Sequence, residues 1–297
     1  LIVSDVLVAN PLDDLRSMLA YPFMVHAFVA GTIVAIVAGA VGWFMVLRRE
    51  SFAGHSLAVV GFPGAAGATL IGAPVALGYF GFCVAAAVLI AFGAPGAGRG
   101  ARTASPAAIG TIQAAALATG VLFTALFHGF LGGVDALLFG DFLGVSSDDL
   151  VVLGVIGAVV VVSLLGIARP LLWTSIDPDA AAARGVPTRA IGVAFMILLG
   201  VSVAEVSEIT GSLLVFALLV MPASSVQGVT ARPVFGGACT IAIGVGVTWT
   251  ALIASYYSPW PFGFFLTSVA FTVFLGSVVV RRRPRSSRTP RDRGVDQ

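Results

Sequence analysis

Nine apolar stretches follow one another along the chain, at about 22–47, 55–72, 74–94, 106–127, 150–172, 190–207, 211–229, 234–256 and 262–280. Each is close to the length a helix needs to cross a bilayer, roughly 20 residues at 1.5 Å apiece for about 30 Å of hydrocarbon. The rest of the composition agrees. Only 10% of the 297 residues are charged and 58% are hydrophobic, whereas a soluble domain carries about 25% charged residues. The pattern predicts an all-α integral membrane protein of about 8-9 transmembrane helices, with one transmembrane domain over residues 1–280 and a basic tail at 281–297. Two tight breaks govern the count: Gly72-Ala73-Pro74, and the expected turn Glu208-Ile209-Thr210-Gly211. Before the first span, Asn10-Pro11 followed by Asp13 and Asp14 has the form of a helix start, so residues 1–20 are expected to hold a short interfacial helix.

Charge orients the bundle. Arg48 and Arg49 follow the first span, Arg99 and Arg102 the third, and Arg169, Arg184 and Arg189 flank the gap after the fifth. Arg232 follows the seventh, and seven arginines lie in the last seventeen residues. With nine alternating spans every cluster falls on one side. By the positive-inside rule that side is the cytoplasm, which puts the N-terminus outside and the C-terminus inside. The same rule accounts for the arginine-rich tail without any nucleic acid partner, and its Pro, Ser and Arg content predicts disorder. Acids gather on the other side: Asp135, Asp141, Asp148 and Asp149 in one loop, Glu205 and Glu208 at the next turn. Asp148 and Asp149 stand just before a span and are expected to cap it.

Several functions are excluded or weakened. The chain has no lysine, and a Walker A loop needs one on the phosphates. If ATP drives transport, a partner chain hydrolyses it. Cys83 and Cys239 sit inside apolar runs and read as small hydrophobes. There is no His-x-x-x-His, Cys-x-x-Cys or acidic triplet, which suits a translocator that must release its cargo. An intramembrane enzyme would need a compact cluster of acid, metal or serine–histidine groups, and the sequence offers none.

Proline and glycine inside a span free backbone carbonyls, and such breaks persist mainly where they line a cavity or are buried in protein. Pro63-Gly64 in the second span and Pro222 in the seventh are of this kind, and broken helices in separate spans point to a substrate path. Ser224 and Ser225 follow the second break and either line a hydrated path or bond back to the preceding turn.

Four stretches resemble the permease subunits of ATP-binding-cassette importers for zinc, manganese and iron: YPFMVHAFVAG running to LRRESFAGHSLAVVGFPG, LFGDFLGVSSDDL, DPDAAAARGVPTRAIG, and GSLLVFALLVMPASSV. Together, and in order, they cover nearly the whole chain. The resemblance implies a fold similar to the vitamin B12 importer type. It also implies a pair of permease chains, two ATPase subunits and an extracellular metal-binding protein that delivers the ion. The metal would be a substrate, with no stably bound cofactor and with ATP on the partner. One motif departs. Where the family commonly reads Gly-Asp-Ala-Leu-x-His, this chain has His55 at the aspartate position and Val59 at the histidine position. A family acid near the outer end of the eighth span is also replaced, within SYYSPWPFG.

The polar residues within spans are the remaining candidates. His55 and Glu205 are the metal-contact candidates, because an ionisable group in a span is costly without a partner or a function. Imidazole ligates zinc, manganese and iron and suits zinc better than the harder ions. His55 is equally open to a hydrogen-bonded, structural role, and Glu205 to a place in water at the turn. His26 is a weaker candidate, and His128 and the Tyr256, Tyr257 and Trp260 group read as structural, the aromatics as an interfacial belt. Asp177 and Pro178 form a helix start, Ala182 lies in the short helix, and Arg184 and Gly185 close it. On the cytoplasmic side this helix is expected to dock the ATPase. The rival readings are an ion-coupled secondary transporter and an ABC permease for an organic cofactor or siderophore.

Overall fold

The computed structural model describes residues 18–92, 105–126, 140, 142, 144–230 and 232–282. The expected N-terminal helix, His128, Asp135, Asp141, Arg99, Arg102 and the tail from 283 lie outside the described residues. Ten helices are given bounds among the described residues: α1 Pro22–Leu47, α2 Ser51–Ile71, α3 Val75–Phe92, α4 Pro106–Leu126, α5 Ser147–Ile176, α6 Pro178–Ala183, α7 Thr188–Thr210, α8 Val215–Gln227, α9 Pro233–Tyr256 and α10 Phe262–Arg282. No strand occurs among the described residues.

Eight of these helices are long and apolar enough to cross a membrane; α6 and α8 are not. The seventh expected span, 211–229, is therefore corrected to a four-residue turn and a 13-residue helix, α8. The expected turn at 208–211 is corrected as well. Glu208, Ile209 and Thr210 belong to α7, and the chain leaves the helix at Gly211, whose φ of 78° suits a residue without a side chain. The other break behaves as read: Gly72, at φ 71°, ends α2, and Pro74 precedes α3.

The bundle has a core of α1, α2 and α7, with 61, 72 and 67% of their spanning windows buried, against 11 and 17% for α4 and α10. A bilayer gives apolar helices no reason to separate from lipid, so close packing has to hold them together. The α2–α3 seam supplies it with glycine. A Cβ on Gly64 would come within 2.2 Å of the Gly78 carbonyl oxygen, and one on Gly78 within 2.1 Å of the Gly64 carbonyl oxygen. The Pro63-Gly64 break thus packs against α3, with Phe62 and Pro63 against Gly120 of α4. α7 joins the two sides of the bundle, packing on α1, α2, α3 and α5, while α9 and α10 flank α1 and α8.

Among the described residues, Arg48 and Arg281 meet at one end. Arg48 lies over the ring of Phe195 in α7, the Gln227 amide donates to the Trp43 carbonyl at 2.7 Å, and Arg281 donates to the Ser224 carbonyl. These contacts bring the ends of α1, α8 and α10 and the first turns of α7 together. Arg48 itself is a surprise for a flanking residue. It is 6% exposed, its guanidinium bonds Glu50 at 3.0 Å, and that pair is buried under the α1–α2 turn. Arg49 takes φ 61° to make the turn.

Candidate functional site

α7 runs from the basic end toward the other face but stops early. Glu205 lies five residues before its end, about 8 Å along the axis. It faces Gly157, ten residues or about 15 Å into α5. α7 therefore ends about 7 Å deeper than α5 begins, inside the bundle. Gly140, at φ 75°, lies on this end, since a Cβ there would come within 2.3 Å of the Ile209 carbonyl oxygen. Phe142 packs beside Phe262, with ring centroids 4.2 Å apart, and against the surface at Gly31. His26 pairs its Nδ1 with the Val145 carbonyl at 3.1 Å, and the chain then enters α5 through a capping box between Ser146 and Asp149. Asp149 is the cap the sequence suggests; Asp148 lies in the first turn.

Glu205 is wholly buried, 0% exposed. Neither of its carboxylate oxygens, nor the Ser207 hydroxyl, has a hydrogen-bond partner among the described residues. Gly157 leaves room for it: a Cβ there would sit 2.9 Å from Glu205 Oε1, 3.0 Å from Val37 and 3.2 Å from Ile33. Of the two places the sequence left open for Glu205, within the span or in water at the turn, the structure takes the first, where α1, α5 and α7 cross. Buried polar groups are nearly always satisfied, so an unpartnered carboxylate at this depth is a functional candidate.

His55 sits elsewhere. It lies in the first turns of α2 at the basic end, half-buried, with its ring edge-to-face on Phe216 of α8 at 5.2 Å. Val59, one turn on, is 8% exposed. The recorded contacts of His55 and Glu205 share no residue, and no group of three or more His, Cys, Asp or Glu side chains that could hold a metal occurs among the described residues.

The α7–α8 hairpin is the broken element. Pro222, buried in α8, has no N–H to give to the Leu218 carbonyl one turn back. Ser225 bonds back to Met221 O at 2.7 Å, and the Ser224 carbonyl takes Arg281. At the basic end α5 is 30 residues long, about 45 Å, and overshoots the membrane thickness. On this overhang sits α6. Asp177 accepts from Ala180 N–H at 2.9 Å, Pro178 takes the first helical position, and Gly185 leaves the helix at φ 80°. Arg184 lies over the Trp173 ring at 5.4 Å and pins α6 to α5, while Ala182 is exposed.

With this geometry in place, comparison with known proteins is decisive. Residues 20–281 match the ABC 3 transport family. The chain belongs to that family. It is 32% identical over 218 residues to the manganese transport system membrane protein MntC of Halalkalibacterium halodurans, covering 72% of each chain. It is 30% identical over 212 residues to the manganese import system permease protein ScaB of Streptococcus parasanguinis, covering 69% of this chain and 71% of that one. The solved structure of PsaBC from Streptococcus pneumoniae in complex with Fab superposes with a TM-score of 0.79 at 25% identity, over 90% of this chain and 95% of its own. The all-helical, multi-pass architecture read from the sequence is that of the family, and the chain is a membrane transport protein of it.

Sequence reasoning missed two things: the pairing of Arg48 with Glu50, and the depth of Glu205. The first had a signal in the spacing Arg48-Arg49-Glu50. The second had none, because depth depends on where α5 and α1 lie.

Proposed function

We propose that the chain is the permease subunit of an ATP-binding-cassette importer that carries a divalent metal ion inward by alternating access. The family match over residues 20–281 carries this reading. Manganese stands first because both relatives are named for it; zinc is the alternative that His55 favours, and iron the third. ATP is hydrolysed by a partner subunit, for which the overhanging α6, with Asp177, Pro178, Ala182, Arg184 and Gly185, is the docking element. An extracellular metal-binding protein delivers the ion, and a second copy of the chain completes the pathway. The basic end faces the cytoplasm.

Within the chain, the α2–α8 seam with His55, Pro222, Ser224 and Ser225 is one half of the path and the Pro63-Gly64 break lets α2 flex beside it. Glu205 lies at mid-depth on the other side of α7. A ligand or partner can shift the outward and inward states only by binding them unequally. A cation that meets imidazole at one depth and carboxylate at another passes through weak, separate contacts, as conduction requires.

The test is cellular manganese, zinc and iron measured by mass spectrometry in metal-limited cells with and without the chain. A selective fall in one metal on deletion, restored by the chain and not by His55→Ala, is the expected result. No change in any metal sinks the metal reading and leaves an organic ligand or an ion-coupled transporter.

A further inference from the structure

Between the end of α3 and the start of α7, at the basic end, lies an open groove of about 740 Å³. Its floor is a single stripe of α7, Ala190, Val193, Ala194 and Ile197, spaced as one helix face. Phe92, 59% exposed, forms the opposite wall, and Arg189 and Thr188 stand at the mouth. The groove joins an apolar trough to one cationic rim, and Arg189 makes no ion pair among the described residues. The mouth carries a second source of positive potential. α7 starts after Pro187 with no side-chain cap and no acid in its first turn; the Thr188 N–H donates to the Val186 carbonyl at 2.8 Å, and the Arg189 and Ala190 N–H groups keep unspent donor capacity.

We propose that this groove binds an anionic phospholipid of the adjoining leaflet. The phosphate is held by the Arg189 side chain with the Arg189 and Ala190 backbone N–H groups, and one acyl chain lies along the Ala190–Ile197 stripe. Charge complementarity selects this occupant. A zwitterionic lipid brings its own cation to Arg189, and an apolar peptide segment leaves the guanidinium unanswered. Basic pockets between membrane helices take anionic headgroups for this reason. The stripe runs along the helix axis from the basic end toward mid-depth, as an acyl chain does. The site is separate from both the α2–α8 seam and Glu205, and it stands or falls independently of the metal reading.

The test uses the full chain, purified with whatever subunits accompany it, and native mass spectrometry after addition of phosphatidylglycerol or phosphatidylcholine with the same acyl chains. The wild type is expected to retain phosphatidylglycerol about fivefold more tightly. Arg189→Glu abolishes that preference, Arg189→Lys keeps most of it, and Ala194→Trp, which fills the trough, lowers retention of both lipids. Arg232→Glu, on another connection at the basic end, leaves the preference intact. Millimolar inorganic phosphate is expected not to displace the lipid, and displacement would identify a free phosphate site and overturn the proposal. Equal retention of the two lipids by the wild type would overturn it too, with the groove then covered by the ATPase or a second copy. So would an undiminished preference in Arg189→Glu. The wild-type comparison needs no variant to fold, and Arg189→Gln serves if the charge reversal does not.

Discussion

Two helix crossings in this molecule use glycine for opposite ends. At the α2–α3 seam Gly64 and Gly78 bring backbone onto backbone, each carbonyl within 2.2 Å of where the other's Cβ would stand. Nothing fits between them. At the α1–α5–α7 crossing Gly157 makes room for a side chain, the carboxylate of Glu205. The first glycine pair contributes cohesion, which a lipid solvent does not otherwise provide. The second holds a space that packing alone would fill with a methyl group. One crossing is closed backbone on backbone, and the other gives up packing to a buried, unpartnered carboxyl group.

That contrast can be broken by substitution. Gly64→Leu is expected to do the most damage, since its Cβ alone meets a backbone carbonyl at 2.2 Å and the helices must part. A loss beyond the ~1–3 kcal/mol of ordinary overpacking is expected, read as little or no folded protein on size exclusion. Gly81→Ala, with nothing within 4 Å of its Cβ, is the neutral control. Gly157→Val is next. It presses on Glu205, Val37 and Ile33, for about 1–3 kcal/mol and a lowered Tm in detergent, with the protein still folded. Glu205→Leu sharpens the comparison, because the sign reverses. Replacing an unpartnered buried polar group is expected to raise stability by about 1–3 kcal/mol while metal uptake falls. A Tm that drops with unchanged uptake would mean Glu205 is a structural residue with a partner. The smallest stability effect is expected at half-buried His55. His55→Asp is expected to leave Tm nearly unchanged, and adding Val59→His, at a buried position, to lower it, while the pair, which restores the family's usual residues, moves the metal preference seen in uptake competition.

The buried Arg48–Glu50 pair gives a separate check on the turn that joins α1 to α2. Glu50→Ala strands a guanidinium that is 6% exposed, and removing one partner of such a pair costs about 3–5 kcal/mol. Arg48→Met with Glu50→Met should recover most of that loss, measured as Tm of the double variant against the single.

Local chemistry was legible in the sequence wherever neighbours in the chain decide it. The capping contact of Asp149 before α5, the Asp177-Pro178 start and Gly185 stop of α6, and the Gly72 and Pro74 break all stand where residue types put them. The end of α7 did not, because apolarity fades at Glu205 and Glu208 and a hydropathy pattern then reads a turn. The helix continues because α1 and α5 enclose it and Gly157 accommodates the acid. The same blindness applied to Arg48, where a topological reading of charge speaks of the side of the membrane and is silent about burial.

The amino-acid sequence by itself determined that this is a polytopic helical membrane protein, where its basic residues gather, and that it has no Walker A lysine for ATP. Those properties depend on span length, charge distribution and residue type, which need no partner in space. Only the tertiary structure decided that α8 falls short of a full span, that α7 ends inside the bundle, and that Glu205 and His55 stand apart. These are matters of relative depth and contact between segments far apart in the chain, and in a bilayer they are set by how closely glycine lets one backbone approach another.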